Sequence, residues 1–213
     1  MKRWANEDVY RELATSAAER QGLPAALVLA VIATETGGTF NPNAIRQEVK
    51  IGDASRGLMQ ILYATAKGLG YTGTPEGLFD PATNIDFGTR YLAQQLGRAG
   101  TFEGAASAYN GGWRPELGLG EQADHAFDLC LARDQKTGKC IKTRHVQPGE
   151  FGNQPYVDSV MGNFTYFLEK EQAQRDSSGG ILPSSESGQV NYKLLGVLVG
   201  ILLALLGLRG SGR

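Results

Sequence analysis

Glu35 closes an apolar stretch: residues 23–33 are aliphatic apart from Pro24, and the run meets Glu35 just before Gly37-Gly38. If the stretch is a helix, the carboxyl stands at its negative end and partly out of water. Both effects favour the protonated form. An acid that keeps its proton near neutral pH can donate it to a poor leaving oxygen. The plainer alternative is a solvated glutamate on the last turn of an ordinary helix, which position alone would favour.

His125, Cys130, Cys140 and His145 are symmetrically spaced and invite a zinc reading. A hairpin register pairing Cys130 with Cys140 also pairs His125 with His145, but five residues along a strand reverses the face. Four ligands then fail to converge unless the hairpin is bulged, so no metal is expected. A disulfide across the hairpin is the first reading if the domain works outside the cytoplasm, with two free thiols next and zinc last.

The elements that must position Glu35 follow from periodicity. Over residues 7–20 Val9, Leu13, Ala17 and Ala18 recur at helical spacing with charges on the remaining face. Pro24 suits the first turn of a second helix carrying Leu27, Val28, Val31 and Ile32, which stops at Gly37-Gly38 with Glu35 in its last turn. Helical patterns recur at residues 63–69, 84–96, 102–107 and 156–168, with Gly-rich or Pro-containing joints between them. Asp80 reads as a cap before Pro81. Residues 127–142 read as a small β-hairpin. The domain is mainly α.

Residues 171–191 hold Ser-Gly and Pro-Ser clusters with too little apolar surface to fold, and read as a flexible linker. Residues 194–208 are uncharged and almost wholly aliphatic between Lys193 and Arg209. This is a membrane-seeking segment, although a helix of that length spans only about 22 Å against a hydrocarbon core of ~30 Å. The alternative is a hydrophobic helix that docks in a protein groove. Gly196, Gly200 and Ala204 share one face, which suits close helix association with a second copy or with virion proteins. The expected layout is a domain at 1–170, a linker at 171–191, a hydrophobic, transmembrane-type helix at 192–209 and a tail at 210–213.

The 213 residues suffice for one domain with an appendage, and 41% hydrophobic content supplies a core. A formal net charge of -1 without basic runs excludes nucleic acid as an expected partner. After Met1, Lys2 and Arg3 come Glu7, Asp8, Glu12 and Glu19 before any apolar run, so the N-terminus does not read as a secretion signal.

Several blocks match a known pattern in order. Glu35-Thr36 is followed by Phe40-Asn41-Pro42-Asn43-Ala44, then by Ser55-Arg56-Gly57-Leu58-Met59-Gln60-Ile61. Leu78-Phe79-Asp80-Pro81 with Asn84-Ile85, Gly88 and Tyr91-Leu92 comes next, then Ala108-Tyr109-Asn110-Gly111-Gly112 and a weaker Gln154-Pro155-Tyr156-Val157. Any one block is a poor signal, and four in order are strong. The chain resembles the family 1 lytic transglycosylases, the soluble-lytic-transglycosylase type with a lysozyme-like fold related to goose lysozyme.

The resemblance implies that Glu35 protonates the bond between N-acetylmuramic acid and N-acetylglucosamine in peptidoglycan. Glu35 then takes a proton from the muramyl 6-hydroxyl, leaving a 1,6-anhydro product without any cofactor. It further implies that Gln60 lines the sugar cleft with its amide donating and accepting at once, that Met59 packs on a sugar, that Tyr109 and Asn110 form a cleft pair, and that Tyr156 hydrogen-bonds Glu35. Ordinary readings stand beside these: a loop Gln satisfied by backbone, a core Met, and a helix end at Gly111-Gly112. Two departures are Gly152-Asn153 where the family has Glu-Thr, and a turn lengthened by Gly37-Gly38.

Glu48 and Asp53 fall on an expected loop at the cleft edge, where either can position a water. The chain would then be a hydrolysing muramidase of goose-lysozyme type. A rival of another class is a non-catalytic wall-binding or assembly protein, although a desolvated acid gains such a protein nothing. Lacking a secretion signal and carrying an apolar tail, the chain reads as a virion-associated, phage or mobile-element enzyme that opens the wall. It would act in the periplasm or cell wall while associated with a virion or the bacterial envelope membrane.

Overall fold

The structure, a computed structural model, describes residues 3–134 and 136–177. The chain divides into a compact unit Met1–Gln174 and a second unit Arg175–Arg213, of which only residues 175–177 are described, as helix. The segments expected at 192–209 and 210–213, with Gly196, Gly200 and Ala204, lie outside the described residues. Among the described residues no helix is long and apolar enough to cross a membrane.

Among the described residues six α-helices carry the fold: α1 (Arg11–Gln21), α2 (Ala25–Glu35), α3 (Tyr63–Gly68), α4 (Pro81–Ala99), α5 (Phe102–Gly111) and α6 (Gln154–Ser177). Every residue of α2 from 26 to 33 is buried, as expected of a helix apolar on all sides. Around it pack Ala14, Ala17 and Ala18 of α1, Ile85 and Leu92 of α4, Phe102, Ala105 and Ala106 of α5, and Val160, Phe164 and Phe167 of α6. Each large aliphatic side chain so buried contributes roughly 1.5–3 kcal/mol. The mainly helical expectation holds.

Several expectations change in detail. The first helix begins at Arg11, and Val9 and Leu13 of its expected apolar face are 64% and 38% exposed. Small residues explain this: Ala14, Ala17 and Ala18 let α1 lie close on α2, so the contact narrows to the alanine stripe. Glu7, expected on a solvated face, is fully buried. It accepts from the N–H groups of Arg3 and Trp4, from the Tyr166 hydroxyl and, at 2.5 Å, from Lys170. Residues 171–177, expected in the linker, continue α6. Helix formers dominate there, and Glu171 reaches Arg11 of α1 at 3.8 Å.

Strands β1 (Ile45–Glu48), β2 (Asp53–Arg56) and β3 (Ile61–Leu62) form an antiparallel sheet with Glu48 opposite Asp53, where a loop was expected. Strands so short and polar give no alternation to read. The expected hairpin is present as β4 (Phe127–Arg133) and β5 (Cys140–Val146), in a different register. Cys130 faces Thr143, Arg133 faces Cys140 and His145 faces Asp128, with two shifts between Cys130 and Arg133. The turn sets this: the Asp134 carboxylate accepts from the N–H groups of Lys136 and Thr137. The bulged strands bring the Cys130 and Cys140 Cα atoms to 5.8 Å, and the two form a disulfide. His145 pairs with Asp128 and His125 with Asp124.

Candidate active site

The end of α2 is fastened before the site is built. Thr36 Oγ1 donates to Ile32 O at 2.7 Å and accepts from Phe40 N at 3.1 Å, and Gly38 N donates to Ala33 O. Gly38 has a φ of +77°, and the Trp4 indole lies so close that a side chain there would collide with it. Glu35 is therefore presented from a rigid turn into a cleft of about 420 Å³.

Burial pushes the Glu35 carboxyl above the ordinary carboxylate range. A hydrogen bond from Tyr156 and the Arg46 charge work in the opposite direction without overcoming it, and the Glu48 charge adds to the rise. Tyr156 Oη donates to Glu35 Oε1 at 2.7 Å. Asn153 fixes the start of α6 that carries this tyrosine. Its Nδ2 donates to Ser107 O at 3.0 Å and Asn110 Oδ1 at 3.1 Å, while its Oδ1 accepts from Ser107 Oγ at 2.7 Å. The sequence shows Asn153 only as a departure from the family pattern, and in the structure it ties α6 to α5.

The opposite wall comes from the small sheet and the loop after β2. Asn84, fully buried on α4, holds that loop by accepting from Met59 N at 2.8 Å and donating to Arg56 O and Leu78 O. An Asp80 cap and Pro81 start α4 correctly for this, the cap accepting from Thr83 N at 2.8 Å. Gln60 adopts a φ of 45°, and its Nε2 donates to Ala44 O at 2.9 Å and Gly57 O at 2.8 Å. Its amide hydrogens are thus committed to backbone, while the side chain lines the cleft. The expectation that it donates and accepts at once is corrected accordingly.

Met59 does not line the cleft. Its side chain is fully buried against α4, with Thr89 Oγ1 3.8 Å from the sulfur. What it offers is its carbonyl, which accepts from Tyr109 Oη at 2.8 Å. Tyr109 lines the cleft, packs with its ring tilted against Tyr91 at 5.2 Å between centroids, and has its hydroxyl held well above the usual phenol range by burial, with the Glu35 and Tyr91 charges adding to the rise. Asn110 lines the cleft beside it.

Of the two acids expected to place a water, Asp53 is already used. Its Oδ1 accepts from Ala54 N and Arg56, and its Oδ2 from Ala64 N. Glu48 does line the cleft, with Oε1 accepting from Arg46 Nε at 2.7 Å and Ser55 Oγ at 3.3 Å. Arg46, Tyr91 and Arg114 line it too and were not foreseen. Arg46 and Glu48 stand two apart on β1, so recognising the strand would have put them on one face. Among the described residues no cluster of His, Cys, Asp or Glu is arranged to hold a metal.

The family described as "Transglycosylase SLT domain" matches residues 12–124. Over 118 residues the chain is 38% identical to the membrane-bound lytic murein transglycosylase C of Yersinia enterocolitica, a match covering 48% of this chain and 31% of that protein. The chain therefore spans about a third of that relative's length. Among solved structures, an inactive mutant of lytic transglycosylase Slt from Pseudomonas aeruginosa superposes with a TM-score of 0.55 at 22% identity, covering 78% of this chain and 25% of that one. That likeness concerns the fold alone. The 70 kDa soluble lytic transglycosylase of Escherichia coli matches with a TM-score of 0.43 at 28% identity, over 51% of this chain and 17% of that one. With the family matched over more than half its length, the chain belongs to the transglycosylase SLT domain family.

Proposed function

We propose that the chain is a peptidoglycan lytic transglycosylase that cleaves the β-1,4 bond between N-acetylmuramic acid and N-acetylglucosamine, with Glu35 as its acid and base. The observation that carries this reading is a desolvated carboxyl lining an open cleft and held by a tyrosine hydroxyl. Protonated Glu35 donates to the glycosidic oxygen while the muramyl acetamido oxygen attacks C1, and the N-acetylglucosamine alcohol leaves. The Glu35 carboxylate then takes the proton of the muramyl 6-hydroxyl as that oxygen attacks C1 and the acetamido group departs. A 1,6-anhydro ring results, no water is consumed and Glu35 regains its proton.

In this reading Tyr156 orients Glu35, while Gln60 Oε1, Tyr109 and Asn110 contact the sugars. Met59 acts only through its carbonyl. A second reading, hydrolysis, draws on the presence of Glu48 in the same cleft, where a second acid can place a water. The pairing of Glu48 with Arg46 favours the first. A non-catalytic wall-binding role would leave the desolvation of Glu35 without a use.

The proposal extends to membrane-associated action at the bacterial envelope or from a virion. The aliphatic run at residues 194–208 of the sequence supports membrane attachment, and fractionating membranes and virions for the protein tests its location. The chemistry is tested by mass spectrometry of peptidoglycan digested with the full chain. Anhydro-muropeptides are expected, and products with reducing muramyl ends would overturn the reading in favour of hydrolysis.

A further inference from the structure

Arg46 and Glu48 project from the same side of β1 into the cleft that holds Glu35. Their side chains are 62% and 31% exposed, joined at 2.7 Å from Arg46 Nε to Glu48 Oε1. Ser55 Oγ of β2 braces the same carboxylate oxygen at 3.3 Å. Ion pairs this exposed add little to stability, so folding does not account for the pair. Its location offers a better account.

A carboxyl that must enter the reaction protonated is endangered by any cation free to approach it. Several elements present polar or charged groups to Glu35. From α6 comes the Tyr156 hydroxyl, which donates to it. From α5 comes Tyr109, whose hydroxyl is committed to Met59 O, with the Tyr91 ring of α4 tilted against it. Beyond α5, Arg114 lines the cleft with its guanidinium donating to Gly111 O. From β1 come Arg46, whose charge favours ionised Glu35, and Glu48, whose charge opposes it. Arg46 is thus the cation that threatens the proton, and Glu48 is the residue that occupies it.

We propose that Glu48 is a positioning residue that acts through Arg46, holding the guanidinium at the cleft wall so that it does not pair with Glu35 and strip the acid of its proton. The inference rests on the reading of Glu35 as the acid of the reaction. It assigns Glu48 a part in that reaction other than placing water. Glu48 touches no reacting atom, and beyond the direct push of its own charge its effect is lost when Arg46 is absent.

A titration of the Glu35 carboxyl by carbon NMR in glutamate-labelled full-length protein tests this directly, with Glu35→Gln identifying the resonance. Glu48→Gln is expected to move the Glu35 midpoint down and Arg46→Gln to move it up. In the Arg46→Gln background, adding Glu48→Gln is expected to move it little. An equal downward movement in both backgrounds would mean that Glu48 acts by its own charge alone, and would overturn the proposal, as would no movement at all. On activity, Glu48→Gln is expected to lower kcat/KM at neutral pH by on the order of tenfold, to move the basic limb of the pH profile down and to leave the products unchanged. The double variant should recover most of the loss. Because the titration needs no turnover, a protein that titrates as expected yet cleaves nothing would refute the proposed function and leave the positioning intact. A product that changes from anhydro to reducing in Glu48→Gln would instead refute the positioning role.

Discussion

Tyr156 and Glu35 lie 121 residues apart in sequence and meet through a 2.7 Å hydrogen bond from the tyrosine hydroxyl to Glu35 Oε1. One comes from the start of α6 and the other from the last residue of α2, so the contact exists only when the helices around the core are packed. The bond does two things at once. It fixes the carboxyl in one orientation and it favours the ionised form, partly offsetting what burial does.

Removing that donor should separate the two effects. Tyr156→Phe leaves the ring in place, and the Glu35 carboxyl then rises further because a group that stabilised the carboxylate is gone. The expected result is a loss of roughly ten- to a hundredfold in kcat with the basic limb of the pH profile displaced upward. A basic limb displaced downward would contradict the assignment of this hydrogen bond.

Burial of Glu35 also makes a prediction about stability. The folded carboxyl titrates above the unfolded one, near 4.3 for free Glu, so the folded state holds the extra proton and stability falls as pH rises through that window. Gln carries no such penalty and can still accept from Tyr156. Glu35→Gln should match the wild type below about pH 4 and exceed it in Tm by about 2–4 °C at pH 8. A difference that is the same at every pH would argue that Glu35 is not desolvated.

The Glu7 cluster sets a pH window of its own. Burial pushes the Glu7 carboxyl up, but Lys170, the Trp4 N–H and the Tyr166 hydroxyl outweigh it and hold it below the ordinary range. Its stabilisation is present above the ordinary Glu value and is lost as pH falls through the folded one. Lys170 runs the other way: burial pulls it down, Asp8 and Glu7 more than restore it, and its contribution fades only as pH rises past about 10.4. Glu7→Ala, which leaves the Lys170 ammonium with Asp8 alone, should cost about 3–5 kcal/mol in urea denaturation at pH 7. A cost under about 1 kcal/mol would show that the N-terminal segment is not held by this pair.

Asn84 holds the cleft wall without touching the cleft. Asn84→Ala deprives Met59 N of its acceptor and two buried carbonyls of their donor, with an expected cost of about 3 kcal/mol or more. Since the same loop carries Gln60, KM for glycan should rise more than kcat falls. Unchanged stability and KM would contradict this role.

What the sequence reveals depends on how each feature is encoded. The α2 helix is legible because it is apolar on every side, and the α4 start because Asp80-Pro81 is a local signal with a local effect. Strands β1 to β3 leave no pattern, since four-residue stretches such as Ile45–Glu48 are too short and too polar to alternate. That concealed Arg46 and Glu48 as neighbours. Met59 and Gln60 are adjacent in sequence, yet the φ of 45° at Gln60 sends one side chain into the core and the other to the cleft. Periodicity does not foresee such a reversal. The Tyr156 contact came from family resemblance alone, because nothing local in the chain pairs residues so far apart. The burial of Glu7 is not legible in the sequence because its partners, Tyr166 and Lys170, lie at the other end of the domain.

The role of Glu35 is tested most directly by comparing release of soluble fragments from purified peptidoglycan by the full-length protein and by Glu35→Gln, with glycan binding measured in parallel. Release by the wild type, at least about a thousandfold less by the variant, and equal binding by both are expected. Release by Glu35→Gln within a few fold of wild type would contradict that role, because some group other than Glu35 would then supply the proton.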